Sequence, residues 1–361
     1  MTSRKIGKKL LSKELIGSKG SLKKALNRKS QYNNSRSVSN TQDLDYRKTE
    51  RQIVESPHVH TPHSDGKSTI YTLVAEAGAL GLEYIGFSDH WDPLKISDGN
   101  FNDKYPVEPF EDSYLLRRDG INDLILDHQN EDNSSIELNI ADGAELEYYL
   151  GREDELEEAI ERAEFDYLYL SVHKNKHGED YRKMEPEGQK DAMSIIGSYF
   201  RDLREAYRFA DEIDDIKVIA HPDGIERNKT LRNFFEDKDF YKTVLNEEYN
   251  SIVDKACQND VLSELNGRIL LRTGETEWFN VLSNADIPYA IGTDTHRSGA
   301  KEKYNWVNET QARINILEMK IPELGREPEK VLENVDTSKI EIPRWMAEKV
   351  KLDEDPRKVL K

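Results

Sequence analysis

From residue 53 onward, short runs rich in β-branched and aromatic residues alternate with longer stretches whose apolar positions recur at helical spacing. The runs near 53–59, 84–88, 136–145, 166–172, 216–220, 260–266 and 287–293 read as strands. Between them, Thr69–Leu80, Arg152–Ala163, Asp191–Asp211, Phe240–Cys257 and Asn308–Lys320 read as helices. Strand–helix alternation predicts a mainly parallel sheet covered by helices. Seven strands with this rhythm predict an α/β fold of the TIM-like kind, a closed or nearly closed β/α barrel. In such a barrel, functional residues gather at the C-terminal strand ends. The segment 95–135 is long and polar and is expected to form an insertion or lid over one rim. The last forty residues are charged and contain Pro322, Pro328, Pro343 and Pro356, which predicts a short helix or two on the barrel and then a tail.

Composition and charge add a second boundary. The formal charge of the 361 residues is −18, but residues 1–51 carry 14 Lys and Arg against 4 Asp and Glu, and the remainder carries 38 against 66. The expected layout is therefore a basic, flexible or loosely helical extension over 1–50, a barrel over 51–325, and a charged C-terminal helix or tail over 326–361. An acidic body argues against a broad nucleic-acid surface, although the basic arm leaves such a contact open. No apolar run approaches the length of roughly 18 residues that would suggest a membrane span. The N-terminus has no apolar signal region. The single cysteine, Cys257, rules out an internal disulfide framework and fits a reducing cytoplasm; its amphipathic surroundings read as those of a buried structural thiol.

The histidines change the picture most. Six of the nine fall at predicted strand C-termini, each in a short polar motif. The first motif is His58-Val59-His60-Thr61, followed by Ser64-Asp65-Gly66. Residues i and i+2 of a strand point to one side, so His58 and His60 can share an ion while Asp65 returns from the next turn. Gly86-Phe87-Ser88-Asp89-His90 ends the second strand and Gly143-Ala144-Glu145-Leu146-Glu147 the third. Leu170-Ser171-Val172-His173, Ile219-Ala220-His221-Pro222-Asp223 and Gly292-Thr293-Asp294-Thr295-His296 follow. Imidazole and carboxylate together suit Zn, Mn or Fe. The number of such groups exceeds one ion's needs and can serve two or three divalent ions if a carboxylate bridges. Glu145 is the natural bridge, and Glu147 shares its face. A single satisfied histidine would need no such explanation, but an ordered set at successive strand ends does.

In that order, HVHTPHSDG, GFSDH, GAELEY, LSVH, IAHPDG and IGTDTH, the chain resembles the PHP (polymerase and histidinol phosphatase) family over roughly residues 55–300. The resemblance implies a distorted seven-stranded β/α barrel with a trinuclear site. It implies His58, His60, Asp65, His90, Glu145, His173, His221, Asp294 and His296 as ligands. One ion would lie among His58, His60, Glu145 and Asp294, a second among Asp65, His90 and His296, and a third among Glu145, His173 and His221. The phrases Phe165-Asp166-Tyr167, Ser171-Val172-His173 and Glu264-Leu265-Asn266-Gly267-Arg268 look most like the histidinol-phosphatase branch. Asp65 departs from that branch, where a His is common, and so does Ser171, where a Gly-Ser pair is often found.

What this implies is a cytoplasmic phosphatase that hydrolyses a small phosphate monoester, histidinol phosphate or similar. Adjacent ions would lower the pKa of a shared water to give hydroxide. Asp294 or Glu145 would orient it, and His221 is counted with them as catalytic. Arg268 and Arg297 are the first candidates to clamp phosphoryl oxygens, with Arg272 and Lys174 next. His177 is a candidate to touch substrate or to protonate the leaving group, although a loop position also suits a surface role. His63 reads as pocket wall, His128 as structural, and Asp89 and Asp223 as acceptors behind the ligands or turn residues. Two other readings compete: a nuclease or nucleotide phosphodiesterase guided by the basic arm, and a metal-stabilised binding module without turnover. A barrel amidohydrolase ranks last, because no Lys stands at the appropriate strand end to be carboxylated.

Overall fold

The computed structural model describes residues 53–94, 135–163, 165–235, 237–258, 261–297, 309–335, 337–344, 347 and 350. The basic extension, most of the segment 95–135 with His128, and the end of the C-terminal tail lie outside the described residues.

Seven parallel strands form a nearly closed barrel in the order of the sequence. They are β1 (Glu55–Val59), β2 (Tyr84–Trp91), β3 (Ser135–Glu147), β4 (Tyr167–Ser171), β5 (Ile216–Ile219), β6 (Leu262–Asn266) and β7 (Tyr289–Gly292). The helices are α1 (Ile70–Leu80), α2 (Glu153–Ile160), α3 (Gln189–Glu212), α4 (Lys229–Asn233), α5 (Lys238–Ala256), α6 (Gly267–Thr273), α7 (Glu277–Asn284) and α8 (Glu309–Leu324). Each expected strand is present within a few residues of its expected bounds. The expected helices are present too; α1 begins where the Thr69 side chain caps the Thr72 N–H, and it ends at Gly81 in the left-handed region.

The C-terminal region differs from expectation. Ser338–Pro343 forms β8, which pairs antiparallel with the first half of β3, from Ser135↔Pro343 to Ile140↔Ser338. Strand β3 is 13 residues long, so it extends beyond its barrel neighbours and offers an edge there. Ile340 and Ile342 bury their side chains in that ladder, which a charged sequence with a closing proline did not advertise.

The ring closes between β1 and the segment after β7. His60 N–H donates to the Thr295 carbonyl at 2.8 Å, and Thr295 N–H donates to the His58 carbonyl at 3.2 Å. Ser56 and Thr293 hydroxyls meet across the same seam at 2.8 Å.

Alternation along the strands sorts side chains into two layers. A large apolar layer lies between barrel and helices and includes Leu168, Leu170, Leu203, Phe200 and Leu245. A smaller one fills the interior with Ala141, Tyr167, Tyr169, Val218, Ala220, Ala290 and Leu332. Tyr167 reaches across to donate to the Pro57 carbonyl at 2.5 Å. A Cβ on Gly86 or Gly143 would collide with its ring, so β2 and β3 carry glycine where the ring passes. Above this tyrosine floor the inward positions turn polar. Glu145 is next to Tyr169 in register, and Ser171 and His173 follow on β4 and just past it.

Candidate metal centre

The nine expected side chains converge at the C-terminal mouth of the barrel. Glu145, buried at the end of β3, sits at the centre. Its Oε2 lies 2.7 Å from His90 Nδ1 and 3.5 Å from the Nε2 of both His58 and His60. Its Oε1 lies 2.8 Å from His221 Nε2 and 3.3 Å from His173 Nε2. Asp294 Oδ1 lies 3.0 Å from His296 Nδ1 and 3.6 Å from His60 Nε2. Asp65, more exposed, closes the entrance side at 3.0 Å from His296 Nε2 and 3.7 Å from His90 Nε2.

Four overlapping groups have ligand atoms close enough to hold an ion: His60, Asp65, His90 and His296; His58, His60 and Asp294; His58, Glu145 and His221; and His90, Glu145 and His173. The Asp65–His90–His296 trio stands together as the resemblance implies, with His60 added. The other groups cut across the implied division, with Glu145 common to two of them. Divalent cations fit this donor set on an independent observation. His60 Nδ1 is buried without a hydrogen bond, Asp65 Oδ1 and Glu145 Oε2 meet only imidazole nitrogens, and the Nε2 atoms of His58 and His60 face each other at 3.1 Å. Such an arrangement is costly unless cations occupy the space between.

Electrostatics say the same. Burial acts to raise the pKa of Glu145, but the charges of His90 and His173 and the hydrogen bond from His221 hold it well below the usual carboxylate range. Burial acts to lower His58, yet Glu264 and Glu145 raise it well above an ordinary histidine. Burial beside His296 and His90 holds His60 well below, and burial beside Arg182 does the same to His173. The acids that would hold cations here pair with protons on some of the imidazoles instead.

The backbone is bent to make this mouth. His221 (φ 32°) and Asp294 (φ 48°) both lie in the left-handed region immediately past their strands. Non-glycine residues adopt that conformation at a cost of about 1–3 kcal/mol, and it clusters at functional sites. Arg313 of α8, buried, donates to the carbonyls of Thr293 (3.0 Å) and Asp294, and is itself paired with Glu309 at 2.8 Å. It clamps the turn that presents Asp294.

Behind the ligands stand further acceptors, and one of them, Glu264, had no role assigned from the sequence. Glu264 of β6 accepts from His58 Nδ1 at 2.6 Å, from the His221 N–H at 2.6 Å and from Asn266 Nδ2 at 3.0 Å. A carboxylate behind Nδ1 fixes the tautomer and leaves the Nε2 lone pair for the site. Gly292 has no side chain because a Cβ there would collide with the Glu264 carboxylate. The available signal was alternation, which puts Glu264 on the same inward face as Asn266. Glu147 does the equivalent for His173. It accepts from its Nδ1 at 3.0 Å and from its backbone N–H at 2.9 Å, which leaves Glu145, not Glu147, at the centre. Asp89 accepts from Thr61 N–H at 2.6 Å, Thr61 Oγ1 at 2.5 Å and Ser64 Oγ at 2.5 Å, tying down the turn that carries Asp65. Asp223 accepts from Thr276 at 3.1 Å.

Cations surround the mouth. Arg268, at the start of α6, donates to Asp294 Oδ1 at 2.8 Å. Arg227 was not anticipated. Burial lowers its pKa to about 10; the charge of Asp294 opposes that shift, and those of Arg268, Arg182 and Arg272 add to it. It forms no ion pair among the described residues, so a largely buried guanidinium faces the site without an acid of its own. Lys174 is spent on Asp92, at 2.7 Å. Arg297 is half-buried, close enough for its charge to act on Arg272. His177 is exposed in the turn 175–179, where its N–H donates to Asn175 Oδ1, and it is not among the converging groups. His63 is half-buried, its N–H on Thr61 Oγ1.

Cys257, expected to be buried, is exposed. No helix among the described residues is long and apolar enough to cross a membrane.

Comparison with known proteins gives the same frame. The PHP domain family matches residues 56–266. A histidinol phosphate phosphatase from Lactococcus lactis subsp. lactis Il1403, solved with zinc, L-histidinol and phosphate, superposes with a TM-score of 0.52 at 18% identity, covering 78% of this chain and 98% of that one. A putative histidinol phosphatase from Listeria monocytogenes gives 0.51 at 18% identity, covering 67% and 95%. At that identity the likeness speaks to the fold alone. Comparison with curated protein sequences returned no match.

Proposed function

Because the chain belongs to the PHP domain family, with a match spanning more than half its length, we propose that it is a metal-dependent phosphoesterase that hydrolyses small phosphate monoesters. The observation that carries this reading is the convergence of eight His and Asp side chains around Glu145 beneath a rim of arginines. Two or three divalent ions, Zn, Mn or Fe, would supply Lewis acidity and an activated water.

The chain's own groups do the remainder. His58, His60, Asp65, His90, Glu145, His173, His221, Asp294 and His296 would hold the ions, Glu145 being a member of two of the candidate groups. Glu264 and Glu147 lock the rings of His58 and His173 so that Nε2 faces inward. Asp294, held in a left-handed turn by Arg313, and Glu145 orient the attacking water for in-line displacement. Arg268 and Arg227 would receive the phosphoryl oxygens, Arg268 by exchanging its contact with Asp294 for one with substrate.

L-Histidinol phosphate is the reference compound to test first, since one structural relative was solved with L-histidinol and phosphate. The test is metal analysis of purified protein together with a phosphatase screen, comparing wild type with His221→Ala. Two to three ions per chain and loss of turnover in the variant are expected. Full turnover by His221→Ala would overturn the site.

A further inference from the structure

Apart from the metal site, the structure has a cavity of different character. It has a volume of about 670 Å³ and is bounded by residues of α4, α5, α6 and α7. Five cations line it: Lys229, Arg232, Lys238, Lys242 and Arg272. The three acids in its wall are already engaged. Glu226 accepts from the N–H groups of Glu277 (3.1 Å) and Trp278 (3.2 Å), Glu275 pairs with Lys320 at 2.7 Å, and Glu277 pairs with Lys242 at 3.6 Å. Among the described residues, Lys229, Arg232, Lys238 and Arg272 have no carboxylate within ion-pair distance. Residues 52–361 carry 66 acids against 38 bases, so four unneutralised cations around one cavity run against the surface average.

Helix α6 connects this cavity to the metal site. Arg268 and Arg272 are four residues apart and share one helix face, about 6 Å from each other. Arg268 touches Asp294, while Arg272 lines the cavity. The charges of Arg268 and Asp294 both act on Arg272, which places it within electrostatic reach of the reaction centre. A small molecule whose phosphoryl group lies against Arg268 can therefore set its next anionic group against Arg272 and the cavity cations.

We propose that this cavity is the subsite for a second anionic group, so that the preferred substrates are small phosphate monoesters bearing two acidic groups. The inference rests on the phosphomonoesterase reading and narrows its substrate class. An amino alcohol phosphate would bring an ammonium group towards the same cations and is disfavoured by like-charge repulsion.

The test uses pairs of esters that differ in one anionic group. Fructose 1,6-bisphosphate is compared with fructose 6-phosphate, and 3-phosphoglycerate with glycerol 3-phosphate; the first pair adds a phosphoryl group and the second a carboxylate. L-Histidinol phosphate is the cationic comparator. The expected result is a preference in kcat/KM of about tenfold or more for the bisphosphate over its partner, from added charge-assisted contacts. The preference should shrink with added salt and collapse in the Arg232→Gln/Lys238→Gln double variant. Equal rates within both pairs, or an undiminished bisphosphate preference in the double variant, would overturn the inference and leave the phosphoesterase reading standing. Absence of hydrolysis of every ester would overturn both.

Discussion

Replacing Glu264 by Gln tests how the site is built without touching a metal ligand. The carboxylate faces three donors: His58 Nδ1 and the His221 N–H, each at 2.6 Å, and Asn266 Nδ2 at 3.0 Å. Glutamine keeps the shape but offers one carbonyl oxygen and turns an NH₂ group towards at least one donor. It also removes the negative charge that, against the cost of burial, most raises the proton affinity of His58. Hydrogen bonds to a charged group contribute about 1.5–3 kcal/mol each, and part of that is retained. Acceptors behind metal-bound histidines typically change metal affinity by roughly 10–100-fold when removed. The expected effect of Glu264→Gln is therefore about a 10–100-fold weaker dissociation constant, or about 1.4–2.7 kcal/mol. Competition with a chromophoric chelator at fixed pH reads it directly. A variant that binds every ion as tightly as wild type would refute the idea that Glu264 orients His58 and His221.

Further outcomes follow from other parts of the structure. Gly292→Ala should drive a methyl group into the Glu264 carboxylate and lower stability by about 1–3 kcal/mol in urea titration; an unchanged midpoint would contradict the crowding seen there. Burial raises the Glu55 pKa from 4.5 to about 7, despite N–H donation from Val331 and Leu332. Because the folded state binds this proton more tightly, its stabilisation is full below about pH 4.5 and is lost as pH rises through 7, up to about 3 kcal/mol. Glu55→Gln should flatten stability over that window, and an identical pH profile would count against the assignment. Removing divalent ions with a chelator should lower the melting temperature by about 5 °C for each ion whose free concentration had stood near a hundred times its dissociation constant, since each such site adds about 2.7 kcal/mol by binding to the folded state alone. A melting temperature indifferent to chelation would mean that the cluster holds nothing.

Much of the fold was legible because the barrel repeats one unit. At or just past the C-terminal end of each barrel strand stands a His, Asp or Glu, and no ordinary core places such groups at equivalent sites. The parts that stayed hidden depend on distant partners. Glu264 acts through His58, 206 positions away in sequence, and no local pattern around Leu262–Asn266 announces that contact. Strand β8 owes its existence to the exposed length of β3 rather than to its own six residues. Helices α6 and α7 are seven and eight residues long, too short for periodicity to reveal, although Asn266 and Thr276 cap their N-termini. Arg227 ends a 3₁₀ turn after β5, and only the fold brings it within reach of the charges of Arg268 and Asp294. Glu145 and Glu147 were indistinguishable by alternation. The hydrogen bonds of Glu147 to His173 separate them, because a carboxylate spent behind one histidine is not at the centre.

The central claim is that several cations share the pocket around Glu145, and anomalous diffraction from crystals grown with Mn or Zn tests it most directly. Two or three strong peaks within coordination distance of His58, His60, Asp65, His90, Glu145, His173, His221, Asp294 and His296 are the result the account predicts. A pocket without peaks in fully metallated crystals, or peaks only elsewhere on the protein, would contradict it.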